Sequence, residues 1–259
     1  MSDPLHAESI QRILQTKLYG RSIDVLASTI STSDDAKEAA HRGAVRGHVV
    51  VADTQRKGRG AHGHVWTSPA GTDLYLSIVE QLDVSPQALP ALTLAVGLGV
   101  ADTVDALTGQ RSLVKWPNDV WLLEKKCAGI LVESSSTGMT LGPVVIGIGL
   151  NVNRDRWDDD LAPIATSLRT AKDGCAFDRV QVLCELLARV ERRVDQFTTH
   201  GAGPIVRDLN AKLALRGERV TVEGYGEGVL EGLTDDGAVR LSTSDGPRVA
   251  VTGTLRRAR

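Results

Sequence analysis

The chain has 259 residues, 42% of them hydrophobic, enough to bury a full-sized core with room for one large domain and a small appendage. Its formal net charge of −2 leaves no basic footprint for nucleic acid. Three cysteines, Cys127, Cys175 and Cys184, form no CxxC pair and no metal spacing, which points to a reducing compartment and away from a disulfide framework.

The opening MSDPLHAESI lacks the charged-then-apolar order of an export signal. A strand-like run, Ile23 to Ala27, ends in Ser28-Thr29-Ile30-Ser31-Thr32-Ser33-Asp34, which opens a helical segment from Asp35 to His41. Capping accounts for one hydroxyl; the rest fit either a small polar loop or a ligand contact. After a second strand, His48 to Ala52, comes Asp53 to Gly71, DTQRKGRGAHGHVWTSPAG. Gly58, Gly60 and Gly63 let this backbone approach a ligand closely. Arg56, Lys57 and Arg59 supply charge suited to phosphate or carboxylate. Many such loops are only mobile surface, and no Gly-Lys-Ser/Thr closes this one as in a P-loop.

A third strand spans Leu74 to Val79. From Pro90 to Leu107, Leu92, Leu94, Ala95, Leu98, Ala101, Val104 and Leu107 recur at three- and four-residue intervals, which predicts a buried helix. Its longest apolar stretch, Ala91 to Ala101, is too short to span a bilayer, so the expectation is a soluble, cytoplasmic protein without a membrane partner. Strand Leu113 to Lys115 delivers a lysine into the turn Trp116-Pro117-Asn118-Asp119. Such a lysine either pairs with a surface carboxylate or neutralises charge as a carboxylate attacks a phosphate. Strands follow at Val120–Leu123, Gly129–Val132 and Val144–Asn151; interior glycines in the last, Gly147 and Gly149, mark close approach of a ligand or backbone. Arg154 to Pro163 reads as a charged surface loop, and Leu183 to Phe197 as an amphipathic helix with Arg189, Arg192 and Arg193 on its wet side. From Leu215, short strands at Arg219–Val222, Gly228–Gly232, Ala238–Leu241 and Val249–Val251 suggest a small barrel. Strands grouped between helices predict an α+β sheet with helices on one face.

Three of these segments together resemble the biotin protein ligases. KWPND at 115–119 with KKCAGIL at 125–131 is similar to the family's central motif, in which KWPND and KxAGIL go together. The 53–77 segment resembles GRGRRGRxWxSPxGxxLxxS, and GIGLN at 147–151 resembles the Gly-x-Gly-Ile/Leu-Asn signature. The resemblance implies a biotin/lipoate ligase-like catalytic domain over residues 1–213, a mixed sheet with helices on one face, followed by an SH3-like β-barrel over 214–259. It implies that Ser31, Thr32 and Ser33 bond the ureido ring of biotin, with Ser28-Thr29 as a second register. Gln55, Gly58, Arg59, Gly60 and Ala61 would surround biotin or its activated carboxylate, with Gly147 and Leu150 lining the same pocket. Trp66 would lie against adenine, Asn151 would bond it, and Asn118 and Lys126 would contact ATP or the adenylate. Catalysis would fall to Lys115 and Arg59, which offset repulsion as the biotin carboxylate meets the polyphosphate.

The reaction so implied has two steps. The biotin carboxylate attacks the α-phosphate of ATP, giving biotinyl-5′-AMP and pyrophosphate. The ε-amine of a lysine on a biotin carboxyl carrier domain then attacks the anhydride and releases AMP. ATP, magnesium and biotin are required, and no residue is assigned to the metal. Lipoate ligases and octanoyltransferases share the architecture in outline but carry other motifs. Twenty-two residues precede the first strand, too few for the winged helix-turn-helix of bifunctional members, so a monofunctional ligase without a nucleic-acid partner is expected. Nothing in the sequence sets the oligomeric state. The chain departs from the pattern at Ala61, where the family has a second arginine, at His62 and His64, where arginines are usual, and at Thr254, which replaces the glutamate of a closing Gly-Glu-Val. These departures predict an adenylate that forms but is held loosely; the alternative is a biotin-binding protein with weak or leaky adenylation.

Overall fold

The computed structural model of the chain describes residues 4–137 and 140–258; the side chains of His62 and of 135–140 lie outside that description. Helix α1 (Ala7–Ile13) leads into β1 (Ile23–Leu26), α2 (Thr32–His41) and β2 (Val49–Ala52). Next come β3 (Leu74–Glu80), α3 (Leu89–Thr108), β4 (Leu113–Lys115), β5 (Asp119–Leu122), β6 (Lys125–Thr137) and β7 (Thr140–Leu150). The seven strands form one sheet in the order β1-β2-β3-β7-β6-β5-β4. The β1–β2 pair is parallel and the other pairs are antiparallel, so the sheet is mixed, as expected.

Alternation along the central strands decides what each face does. Leu76, Ile130 and Ile148 sit opposite one another, as do Leu74, Ala128 and Leu150, and all six are buried in the main core. Helices α3 and α5 (Arg179–His200) pack together over that face, with the one-turn α4 (Leu168–Ala171) and α6 (Ala202–Lys212) against α3. The segment Pro86–Thr108 is in fact long and apolar enough to cross a membrane by length and composition, yet 72% of its apolar window is buried within the protein. It is a core helix. Asp178 caps α5 by accepting from the N–H groups of Val180 and Gln181. Arg193, expected on the wet side, instead bridges Asp102 of α3 and Asp208 of α6 at 2.8 and 2.6 Å.

Helix α2 takes the opposite face of the sheet, where Ala36 packs on Val50, Val79 and Val145. That short helix covers only part of the face. The remainder, over β3, β7 and β6, is where the site lies. A C-terminal antiparallel sheet follows: β8 (Arg219–Val222), β9 (Gly226–Leu233), β10 (Val239–Thr243), β11 (Gly246–Ala250) and β12 (Leu255–Arg257), in the order β11-β10-β9-β8-β12. It packs around Val220, Val222, Leu230, Leu241 and Leu255, consistent with the expected small barrel. The Trp116 indole N–H donates to the Gly237 carbonyl at 3.2 Å, and the Ala214 N–H to Val114 at 2.9 Å, which ties this unit to the KWPND strand.

Candidate functional site

The open face of the sheet is built from the residues that alternate with the core. Ser77, Gly147 and Leu131 stand in one row across β3, β7 and β6; Tyr75, Gly149 and Gly129 stand in the next. Small residues in these rows leave a trough. The N-terminus of α2 closes one end: Thr32 Oγ1 lies 2.9 Å from Ser77 Oγ, and Ser33 Oγ lies 3.2 Å from it. Gln55 completes the cluster, accepting from the Thr32 N–H at 2.9 Å and donating to Ser68 Oγ at 3.0 Å. The result is a cavity of about 420 Å³ with hydroxyls and an amide at one end. Such a cluster both donates and accepts, which suits a planar ligand carrying N–H and C=O together.

The 53–71 loop forms the cavity's lid. Gly58 is where the loop crosses itself: a Cβ there would stand 2.4 Å from the Trp66 carbonyl oxygen, so only glycine fits. Beyond it, Arg59 reaches across the mouth to Asp34 of α2 at 2.7 Å and Glu133 of β6 at 3.3 Å. Arg59, Gly60 and Ala61 all line the cavity. The loop then brings Trp66 down onto the sheet, where Gly149 would have a Cβ 2.4 Å from the indole ring. Trp66 thus forms a partition. On its far side a second cavity, about 680 Å³, is lined by Asn151, Arg154, Trp157, Leu161 and Ile164. Asn151 donates to the Thr166 carbonyl at 3.0 Å, which fixes its amide and leaves its oxygen as the acceptor.

Lys126 and Trp66 border both cavities. The lysine reaches that junction through a break in register. Val120 pairs with Ala128, but Trp121 pairs with Lys126, which leaves Cys127 as an extra residue on β6. Bulges of this kind re-aim side chains. Here the bulge turns Lys126 onto the open face, over Gly129, with its ammonium 5.3 Å from the Trp66 ring centre and 2.6 Å from Asp119 Oδ1.

Several sequence-based assignments change here. Lys115 lines neither cavity: it lies on the outermost strand, behind Asp119, with Nζ 3.8 Å from Asp119 Oδ2 and 5.5 Å from the Trp121 ring centre. Burial pulls its ammonium below the ordinary lysine value, opposed by Asp119 and reinforced by Lys126 and Arg256. Leu150 also leaves the site, because three residues from Gly147 in a continuous strand is the opposite face, and it is buried in the core. Ser31 accepts from the N–H groups of Asp34 and Asp35 through its carbonyl and does not line the cavity, unlike Thr32 and Ser33. Gly58 shapes the loop from outside the cavity. Asn118 does line it, with its amide donating to Ile130 at 2.9 Å. The structure adds three residues that the sequence analysis did not single out: Gly129 and Leu131 in the lining and, behind it, the fully buried Ser77, which holds the Thr32 and Ser33 hydroxyls. The signal for Ser77 was there: it is the one small polar residue inside the otherwise apolar and aromatic run 74–79. Among the described residues, no group of three His, Cys, Asp or Glu is placed to hold a metal ion.

Comparison with known proteins finds relatives over most of the chain. The sequence model of the Biotin/lipoate A/B protein ligase family matches residues 24–151. The chain is 36% identical over 264 residues to the biotin--[acetyl-CoA-carboxylase] ligase of Mycobacterium tuberculosis, covering 96% of this chain and 95% of that protein. To the bifunctional ligase/repressor BirA of Bacillus subtilis it is 35% identical over 243 residues, covering 90% of this chain and 73% of that one. Among solved structures, the biotin protein ligase from Aquifex aeolicus in complex with biotin and ATP matches with a TM-score of 0.81 at 30% identity, over 92% of this chain and 100% of that one.

Proposed function

The chain belongs to the biotin protein ligase family, and from that premise we propose how its two cavities divide the reaction. The activity is ATP-dependent biotin–protein ligation, with biotin and ATP as substrates. Biotin takes the hydroxyl-lined cavity, its ureido ring toward Thr32, Ser33, Ser77 and Gln55. Adenine takes the aromatic cavity, beside Trp66 and the Asn151 oxygen. The observation that carries this reading is the position of Lys126, the one ammonium bordering both cavities among the described residues.

The chemistry follows from that position. A carboxylate approaching a triphosphate meets like charge, so the first step needs a fixed cation where the two ligands touch. Lys126 supplies it, and Arg59 at the mouth adds a second. A biotin carboxylate oxygen bonds to the α-phosphorus, the bond to the bridging oxygen breaks, and pyrophosphate leaves. In the second step a carrier-domain lysine, as the free amine, attacks the acyl carbon; the C–O bond breaks, AMP leaves, and the amine gives up a proton. The lid over the cavity keeps water from the anhydride in the interval. Magnesium enters with the nucleotide phosphates in this scheme, since it takes few protein ligands and Asp119 is already engaged by two lysines. The acceptor is the biotin carrier domain of a biotin-dependent carboxylase, and the three free cysteines are in keeping with action in the cytoplasm.

Incubation with ATP, magnesium, biotin and a biotin carrier domain tests the reading, following pyrophosphate and carrier labelling together. Both are expected, each dependent on biotin; biotin binding without pyrophosphate release would overturn it. The partition gives a second test. Gly149→Ala presses a methyl group into the Trp66 indole, an overpacking of about 1–3 kcal/mol. The KM for ATP is expected to rise roughly tenfold, since 1.4 kcal/mol is a factor of ten. An unchanged KM would show that Trp66 does not border the nucleotide.

A further inference from the structure

Lys115 has no role in the scheme above, yet it is buried on the same face of the sheet as the reacting centre. Three charged side chains stand in line across that face. Lys126, at the cavity, is 2.6 Å from one oxygen of Asp119; Lys115 is 3.8 Å from the other. Lys115 and Asp119 are directly paired between β4 and β5, and their side chains are only 14% and 16% exposed. The groups facing Lys115 are Asp119, Lys126, the Trp121 ring and, from the C-terminal sheet, Arg256. A simple pair would need one lysine for one carboxylate. Here there are two, and only one of them reaches the substrates.

We propose that Lys115 is a positioning residue for adenylation, the standing counterion of Asp119 that frees Lys126 to turn from that carboxylate to the substrates. The inference rests on the ligase reading. Were Lys126 the only partner of Asp119, it would have to leave a nearly buried carboxylate unpaired in order to meet biotin and the α-phosphate. Leaving a buried charge unpaired is strongly unfavourable, so Lys126 would stay where it is. Lys115 removes that obstacle, because Asp119 keeps a cation throughout. Asp119 orients Lys126 between turnovers and Lys115 makes the contact reversible.

The test is biotin-dependent pyrophosphate release by the full chain, for wild type, Lys115→Met, Lys115→Arg, Asp119→Asn and the Lys115→Met/Asp119→Asn double variant. Lys115→Met is expected to lower kcat about tenfold, within the range of couplings between residues sharing one ion-pair network, with little change in the KM for ATP. Lys115→Arg, which keeps the charge, is expected to restore most of that rate. In the Asp119→Asn background, Lys115→Met is expected to cost nothing further, because no carboxylate remains to hold Lys126. A merely structural lysine would give losses that multiply in the double variant and that arginine does not rescue. Either result overturns the proposal, as does a Lys115→Met rate equal to wild type. Lys115→Gln serves the same comparisons if the methionine variant does not fold. Wild type without biotin-dependent pyrophosphate release would instead overturn the ligase reading itself.

Discussion

Lys126→Ala is expected to lower biotin-dependent pyrophosphate release by about 10²- to 10³-fold, the usual loss when one preorganised donor is removed from a site that develops charge. The ammonium sits at the junction of the two cavities, where the carboxylate and the α-phosphate must come together. No other cation lines both cavities among the described residues. Arg59 touches the first cavity only and is already engaged by Asp34 and Glu133. The loss belongs in the chemical step, because the proposed ureido partners Thr32, Ser33 and Gln55 bond to one another and to Ser77, and the substitution leaves them in place. Stability should change little. Asp119 keeps Lys115 as a partner, so the variant carries no unpaired buried carboxylate. Measured by single-turnover adenylation beside thermal unfolding, a rate within tenfold of wild type at unchanged Tm would remove Lys126 from the chemistry.

That prediction names a lysine eleven residues from the one the sequence favours, and the reason is physical. A rigid lysine at a strand end describes both Lys115 and Lys126. What separates them is strand order and a single bulge. Lys115 falls on the edge strand β4, one strand beyond Asp119, while the extra residue Cys127 swings Lys126 onto the open face beside β7. Neither the sheet order nor the bulge leaves a local mark in the sequence. Leu150 is a different matter, since period-two alternation from Gly147 already assigns it to the core. The elements themselves were readable where a face is continuous: β3, α3 and α5 follow their apolar patterns closely. Helices α1 and α6, and the face that α2 takes, were not. Helices α1 and α6 carry few buried positions, and α2 packs on the opposite side of the sheet from the other helices through one alanine and three valines. The motifs located the cavity; its floor, Gly129 and Leu131 among them, had to come from strand register.

Ala61→Arg is expected to slow release of biotinyl-AMP about 100-fold, on the basis that one well-placed donor contributes roughly 3 kcal/mol. Ala61 lines the hydroxyl-lined cavity and also the cleft between Leu89–Pro90 at the start of α3 and Val251–Gly253 in the turn between β11 and β12. A methyl group at that wall neither bonds an anhydride nor blocks its exit. The neighbours do not make up for it. Lys57 faces the outer side of the lid, and His64 borders the outer side and the aromatic cavity; neither lines the hydroxyl-lined one. Arg56 likewise lines the outer cleft and not this cavity, and Arg59 has two carboxylates within 3.3 Å competing for it. The site therefore keeps what it needs to form the adenylate, in Lys126, and lacks part of what would retain it. A chase of labelled biotinyl-AMP from wild type and variant measures this directly, and off-rates within threefold of each other would mean that the lid holds the intermediate without a second arginine. Retention and formation are separable here because they depend on different side chains lining the same cavity. Lys126→Ala should then reduce adenylate formation without hastening its loss, and Ala61→Arg should slow the loss without hastening formation.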